Sequence, residues 1–196
     1  MTLDGGQFNR FFGGGFYERD GNFDQPPAAN GQVAYAGDYA GITNMDAQPN
    51  DAGYDLLPTP AGTDPAILPA QAARTRGRIF LDVNFNEGLM NGAVFDRALA
   101  DNAAITLPDI VLLSTTIDDE GGFFGDIELD GVLDTDIGDY GGMFAGTNAA
   151  SVGGLLTLID VDNNIYGWTG DQEFGVFVLT QCGQTGEDAT LCAIAR

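Results

Sequence analysis

The stretch Arg78-Ile-Phe-Leu-Asp-Val-Asn-Phe-Asn-Glu-Gly-Leu-Met-Asn-Gly-Ala-Val-Phe95 decides the fold class. Its first half alternates with a period of two, which is the pattern of a β-strand that is buried on one face. The row of larger apolar side chains comprises Ile79, Leu81, Val83 and Phe85. Asn86-Glu87-Gly88 is a turn signal, and the residues from Leu89 onward return as a partner strand. The stretch therefore predicts a β-hairpin.

The same pattern recurs on both sides of this hairpin. Strand patterns cover 32–43, 109–117, 122–129, 140–146, 152–159 and 173–180. About eight or nine short strands joined by tight turns, without a long helical period, are typical of an antiparallel barrel or sandwich. Glycines inside the strands favour the barrel, where strands must bend and coil. We therefore expect an all-β, antiparallel, eight-stranded barrel.

The chain divides into three parts by composition. Residues 31–181 carry the strand patterns and form the predicted barrel domain, with a long Pro-rich loop at 45–72. Residues 1–30 form an aromatic and Gly-rich N-terminal arm, and residues 182–196 form a C-terminal tail. The arm's aromatic side chains are costly to leave in water, so we expect them to dock either on the barrel or on a neighbouring molecule. They are Phe8, Phe11, Phe12, Phe16 and Tyr17.

The charge composition excludes many functions. The 196 residues carry 29 acidic and 7 basic side chains, for a net charge of −22, and there is no His. All the basic residues are Arg, so His-based triads, catalytic Lys chemistry and His metal ligation are ruled out. Nucleic acid is not an expected partner, because its binding needs a basic surface. A carboxylate pair such as Asp82 and Glu173 is the remaining catalytic option, and we expect no enzyme.

Two cysteines, Cys182 and Cys192, lie near the C-terminus. Their spacing fits neither a CxxC redox motif nor a four-ligand metal site. We predict that they form a structural disulfide, which indicates an oxidising compartment. No segment has the roughly 18 consecutive apolar residues of a membrane-spanning helix. The N-terminal residues do not resemble a signal peptide, so we expect a mature form or another export route.

Two acidic stretches are weak candidates for Ca²⁺, which prefers oxygen ligands. Asp160, Asp162 and Asn164 alternate as at the start of an EF-hand loop, but the sixth position is Ile165, where a Gly is needed. The alternative is a polar turn between two strands. The second stretch runs from Asp130 to Asp139. We otherwise expect no cofactor.

One basic cluster stands out in this acidic chain: Arg74, Arg76 and Arg78. These residues either pair with nearby carboxylates on the barrel or contact the acidic face of another copy, for which the Arg fork is suited. The adjacent Phe123 and Phe124 must point to opposite faces of a strand. Phe80 opposes the inward row, so we expect a cover or a partner over the outward aromatic side chains.

Three stretches resemble the barrel domain of transferrin-binding protein B-like lipoproteins, to which the barrels of factor H-binding protein and haemophilins are related. They are Ala34-Tyr-Ala-Gly-Asp-Tyr-Ala-Gly41, Leu81-Asp-Val-Asn-Phe-Asn-Glu-Gly-Leu-Met-Asn-Gly92 and Gly141-Gly-Met-Phe-Ala-Gly-Thr-Asn-Ala-Ala-Ser-Val-Gly-Gly154. Glu173-Phe-Gly-Val-Phe177 resembles the closing strand of these barrels. The resemblance implies an eight-stranded barrel, export across the outer membrane and binding without catalysis. The family's N-terminal lipid-attachment Cys and any His ligand for haem have no counterpart here.

These observations lead to two functional hypotheses. The first is an exported, non-enzymatic surface or secreted binding protein of the transferrin-binding-protein-like type, with a protein or small-ligand partner. The second is a self-assembling extracellular structural subunit that joins other copies of itself through its N-terminal arm. Both place the chain outside the cell or on its surface, at the exterior of a bacterial outer membrane.

Overall fold

A computed structural model describes residues 2–4, 13–27, 31–43, 73–100, 103–104, 106–159 and 172–194. Strands dominate these segments, and the helices are a 3-10 turn at Thr147–Ala149 and a short α-helix, α1, at Ala189–Ile194. The strands are β1 Thr2–Asp4, β2 Gly13–Gly15, β3 Gln32–Thr43, β4 Ala73–Asn84, β5 Leu89–Leu99, β6 Ile110–Thr116, β7 Gly122–Leu129, β8 Asp136–Ala145, β9 Ser151–Ile159 and β10 Gln172–Gln181.

Strands β3 to β10 form a closed antiparallel barrel, which confirms the predicted fold class. Each strand pairs with its neighbour in sequence, and β10 closes the sheet by pairing with β3, with Phe177 opposite Tyr39. The turns after β4, β6 and β8 lie at one end, which we call the hairpin end. The C-terminal ends of β3, β5, β7 and β9 lie at the other end, which we call the loop end. Closure leaves the barrel no unpaired edge strand.

Inward-facing side chains fill the barrel. Phe144 lies at the centre of an aromatic cluster, with ring centroids 4.9 Å from Phe85, 5.3 Å from Phe123 and 5.4 Å from Tyr35. Glycines make room for such rings. A Cβ at Gly154 would lie 2.5 Å from Cζ of Phe177 and would also clash with the carbonyl oxygen of Gly141, so only Gly leaves room for this ring. Large rings over interior glycines therefore supply much of the core.

Residues 13–27, which we call the strap, run over the outer wall and close the hairpin end. Gly13–Gly15 pairs with Thr2–Asp4 in a two-stranded sheet against β10. Further along, the ring of Phe23 packs 6.0 Å from that of Phe85. The amide Nε2 of Gln25 donates to the carbonyl oxygen of Phe85 at 3.0 Å. The described part of the arm thus packs on its own barrel.

The C-terminal tail folds back onto the outside of β3 and β4. A disulfide joins Cys182 and Cys192, whose Cα atoms lie 5.5 Å apart. The bond holds α1 against Ala36 and Phe80, where Leu191 is buried. The cover over the outward Phe80 is therefore the C-terminal helix.

A buried polar network crosses the interior at the loop end. Nη2 of Arg97 lies 2.7 Å from Oε2 of Glu173, and both side chains are almost fully buried. The other carboxylate oxygen accepts hydrogen bonds from the hydroxyls of Tyr39 at 2.5 Å and Thr75 at 2.9 Å. Nη1 of Arg97 donates to the carbonyl oxygen of Pro108. The network ties β10 to β3, β4 and β5 across the barrel.

Candidate binding face

The outer wall of β7 to β10 carries two neighbouring apolar rows. The register places Phe124 opposite Gly141, Gly141 opposite Leu155, and Leu155 opposite Val176. The next row towards the hairpin end comprises Met143, Gly153 and Val178. We call these seven residues the apolar belt. Its glycines keep the surface between the larger side chains flat, so the belt runs without interruption across four strands.

The belt leaves large apolar side chains in contact with water. Val178 is 83% exposed and Phe124 is 66% exposed. Phe16 of the strap adds a ring that is 55% exposed. Single exposed apolar residues are normal on a protein surface, but a contiguous set marks an interaction site. The belt is therefore the strongest candidate for a binding face.

The strap crosses the belt and divides its surroundings into two grooves. Tyr17 lies between the grooves and lines both of them. The groove towards β10, which we call the apolar groove, has a volume of about 450 Å³ and is lined by Phe16, Gly153, Val176 and Val178 among others. The strap is held in place by Arg19, whose Nη1 donates to the carbonyl oxygens of Glu120 at 2.6 Å and Phe144 at 3.0 Å.

The second groove lies between the strap and the β6–β7 turn, and we call it the acidic groove. Its volume is about 440 Å³, and it is lined by Tyr17, Arg19, Asp118, Glu120, Phe124 and Met143 among others. The Asp118 carboxylate is fixed by its own turn, because Oδ1 accepts hydrogen bonds from the amides of Glu120 at 2.9 Å and Gly122 at 2.7 Å. The groove therefore combines aromatic walls with two acidic side chains, of which Asp118 is fixed by its own turn.

Further carboxylates lie on the same wall towards the loop end. Asp126 of β7 stands directly opposite Asp139 of β8, although like charges in this position repel each other. Partial loss of hydration, and then the carboxylates of Asp136 and Asp126, raise the pKa of Asp139 above its ordinary value. The wall beside Phe124 is therefore strongly negative.

The predicted interface residues lie in different places. Phe16 and Tyr17 lie on the strap beside the belt, whereas Phe8, Phe11 and Phe12 fall outside the described residues. Arg74, Arg76 and Arg78 all lie in the outer row of β4, and Nε of Arg78 lies 4.0 Å from Oδ2 of Asp96. Phe123 points inward and Phe124 outward, as expected for adjacent strand residues.

The structure offers no support for either of the two predicted Ca²⁺ sites within the residues that it describes. Asp160, Asp162 and Asn164 fall outside the described residues. The acidic side chains of 130–139 form no group of three converging ligands in the part of the chain that the structure describes. Cys182, Glu187 and Cys192 do converge, but both sulfur atoms belong to the disulfide.

The carboxylate pair considered for a glycosidase does not share a cleft. Glu173 is buried inside the barrel and bound to Arg97, whereas Asp82 belongs to the outer row of β4. The barrel does not bring these two carboxylates together, because they lie on opposite sides of the wall.

The sequence interpretation missed the belt residues on β9 and β10. A signal was present, since the run Phe174-Gly-Val-Phe-Val-Leu179 is apolar on both faces. Such a run is typical of a strand that is covered on both faces. Here the outward side chain of Val178 stays 83% exposed, although the strap and β1 both lie beside this strand.

No protein-family model and no curated protein matches the chain. The chain is similar to a solved structure of a Transferrin Binding Protein B variant from Haemophilus parasuis, with 20% identity over 79% of this chain and a TM-score of 0.46. It covers 27% of that chain. The N-lobe of Lactoferrin Binding Protein B from Moraxella bovis is 16% identical over 81% of this chain, which covers 61% of it, with a TM-score of 0.42. A solved surface lipoprotein is 15% identical over 83% of this chain, which covers 65% of it, with a TM-score of 0.48.

The chain is thus similar to solved structures of the proteins whose barrel domain its sequence motifs resemble. The chain spans only 27% and 28% of the length of two of the transferrin-binding protein structures that it matches. At these identities the similarity concerns the fold, and function must be argued from this chain's own residues. No helix within the described segments has the length and apolarity needed to cross a membrane.

Proposed function

We propose that this chain is an exported, non-catalytic surface or secreted binding protein that holds a protein partner on its apolar belt. The observation that carries the proposal is the belt itself, where Val178 and Phe124 expose most of their apolar surface on one face. Buried aromatic and aliphatic anchors dominate the binding energy of protein interfaces. The disulfide between Cys182 and Cys192 supports an oxidising location outside the cytoplasm.

The packed interior supports a partner on the outside of the barrel. Phe144, Tyr35 and Phe85 fill the hairpin end of the barrel, and the buried ion pair of Arg97 and Glu173 occupies the loop end. A small ligand would have to displace this core, which is costly at native packing density. The outer belt and its grooves need no such rearrangement.

The test is capture of proteins from extracellular fluids by immobilised chain, compared between two variants. Val178→Asp places a charge in the belt. Leu133→Asp is the matched control, because Leu133 is 84% exposed in the β7–β8 connection at the loop end. Both substitutions add one negative charge at an exposed position, so we expect both variants to keep the wild-type melting temperature.

We expect a protein that is retained by the wild type and by Leu133→Asp, with about thirtyfold weaker binding to Val178→Asp, as for a central interface residue. Equal retention by the two variants would overturn the proposed face.

A second function, a self-assembling structural subunit, is favoured by one specific observation. The outer row of β4 is basic through Arg74, Arg76 and Arg78, whereas the outer rows of β7 and β8 are acidic. Two different patches on one molecule that complement each other produce head-to-tail assembly. Light scattering in low and high salt tests this function. Salt-sensitive polymers that disappear when all three Arg are replaced by Gln would support it, and a monomer in both conditions would reject it.

A further inference from the structure

Phe124 is an exposed ring with carboxylates on both sides along the barrel axis. Towards the hairpin end, Asp118 and Glu120 line the acidic groove. Towards the loop end, the next outward position of β7 is Asp126, which pairs with Asp139. An apolar anchor with charged groups of one sign around it is the arrangement of an interface centre with a charged rim.

Two aromatic side chains converge at this point. A Cβ built on Gly141 would lie 3.3 Å from Cδ2 of Phe124 and 3.8 Å from the hydroxyl oxygen of Tyr17. The edge of the Phe124 ring and the Tyr17 hydroxyl therefore approach the same glycine, which has no side chain to separate them. An arginine or lysine side chain that is placed over such rings gains cation–π attraction.

The negative charge of the outer wall favours binding of a positively charged group. Asp126 and Asp139 repel each other across β7 and β8, and a positive charge between them would relieve the repulsion. Arg19 is a cation that already lies in the acidic groove, but its guanidinium donates to two main-chain carbonyl oxygens and fixes the strap. The carboxylates of Asp118 and Glu120 thus remain in excess over the single Arg charge of this groove.

We propose that the acidic groove accepts a partner segment that presents a basic side chain, preferably arginine, next to an apolar one. This inference rests on the proposed function and names the chemistry of its partner. The apolar side chain contacts Phe124 and Met143. The guanidinium lies over the rings of Phe124 and Tyr17 and forms charge-assisted hydrogen bonds with Asp118 and Glu120. A foreign partner fits this surface better than a second copy, because two copies with net charges of −22 repel each other.

The probe is a hexapeptide of alternating arginine and leucine, compared with the same peptide in which citrulline replaces each arginine. Citrulline keeps the shape of the side chain and removes its charge. Amide chemical shifts of the isotope-labelled chain locate the binding site, and their titration gives the dissociation constant. The variant pair Asp118→Asn with Glu120→Gln removes two charges from the groove. The control pair Asp130→Asn with Asp134→Asn removes two charges from the β7–β8 connection at the loop end.

We expect the arginine peptide to shift the amides of Gly122, Phe124 and Gly141, and the citrulline peptide to bind at least about fivefold more weakly. The double variant Asp118→Asn with Glu120→Gln, the groove pair, should weaken binding of the arginine peptide by about tenfold. The control pair of substitutions should weaken it by less than about twofold. Phe124→Leu, which keeps an apolar side chain and removes the ring, should weaken it by about fivefold.

Four results would overturn the inference. Equal weakening by the groove pair and the control pair would mean diffuse attraction to an acidic protein. Equal binding of the two peptides would remove the role of the cation. Shifts at these amides that grow with protein concentration, without peptide, would identify a second copy as the occupant. If instead the captured protein depends on Val178 but not on Asp118 and Glu120, the proposed function stands and the basic partner is rejected.

Discussion

Loss of one charge from the buried pair of Arg97 and Glu173 should destabilise the barrel strongly. Glu173→Gln preserves the shape of the side chain and a carbonyl oxygen that accepts from Tyr39 and Thr75. It leaves the guanidinium of Arg97 buried without the carboxylate that now lies 2.7 Å away. Breaking a buried ion pair by removing one partner costs about 3–5 kcal/mol, because an uncompensated charge stays in the interior.

Asp96→Asn provides a matched control on the outside of the same barrel end. It is also an acid-to-amide change, and it removes the carboxylate that lies 4.0 Å from Arg78. These side chains are 71% and 45% exposed, and such surface pairs contribute less than about 1 kcal/mol. Asn also tolerates the positive φ of 51° at this position.

Urea unfolding followed by circular dichroism measures both variants. In a chain of this size about 3–5 kcal/mol corresponds to a fall of about 10 °C in melting temperature. The double variant Arg97→Met with Glu173→Gln also removes the unpaired guanidinium charge. Its loss of unfolding free energy should therefore be smaller than the sum of the losses in the two single variants by about 2–3 kcal/mol. The reasoning is refuted if Glu173→Gln unfolds within about 1 kcal/mol of Asp96→Asn.

Three further outcomes follow from the fold. Gly154→Ala should lower stability by about 1–3 kcal/mol, because its Cβ would meet a ring carbon at 2.5 Å, whereas Gly153→Ala meets its nearest atom at 3.6 Å and should be near neutral in urea unfolding. Reduction of the Cys182–Cys192 disulfide should cost about 2–3 kcal/mol and expose the surface under α1, which an increase in fluorescence of an apolar dye would reveal. Burial raises the pKa of Tyr35 above its usual range, so this residue contributes to stability below pH 10 and the contribution falls as pH rises further; unfolding midpoints that stay constant between about pH 9 and about pH 11 would contradict it.

Much of the barrel was predictable from periodicity because side-chain rows in a strand repeat every two residues. Ile79, Leu81 and Val83 are all fully buried, as their row predicted. The turn at Asn86-Glu87-Gly88 also formed where the sequence indicated. These features depend on neighbours in sequence, which is why a single sequence carries them.

The binding face was harder to predict because it depends on which strands become neighbours around the barrel. Phe124, Leu155 and Val176 lie on three different strands, and only the register brings them into one row. The strap adds a second unpredictable step, since the path of residues 13–27 over this wall depends on Arg19 reaching two main-chain carbonyls. The local patterns indicated which side chains face outward, but not which of them meet.

The buried Arg97 shows how one irregular residue changes a whole row. In β5 the inward positions run through Met90 and Val94, and continued alternation would place Arg97 outside. The pairing with β4 shifts by one residue between Arg78 and Arg76, so that β5 carries an extra residue there. Asp96, with its φ of 51°, lies at this bulge.

The bulge reverses the alternation of β5 and turns Arg97 inward towards Glu173, whose row on β10 also contains the buried Phe177 and Leu179. Glu173 therefore had an inward signature in the sequence, but its partner did not. An isolated acid in an inward row is costly, and it is stable here because a bulge on another strand supplies the opposite charge. The ion pair and the bulge depend on each other. A change at Asp96 that removed the bulge would therefore leave the carboxylate of Glu173 buried without an opposite charge.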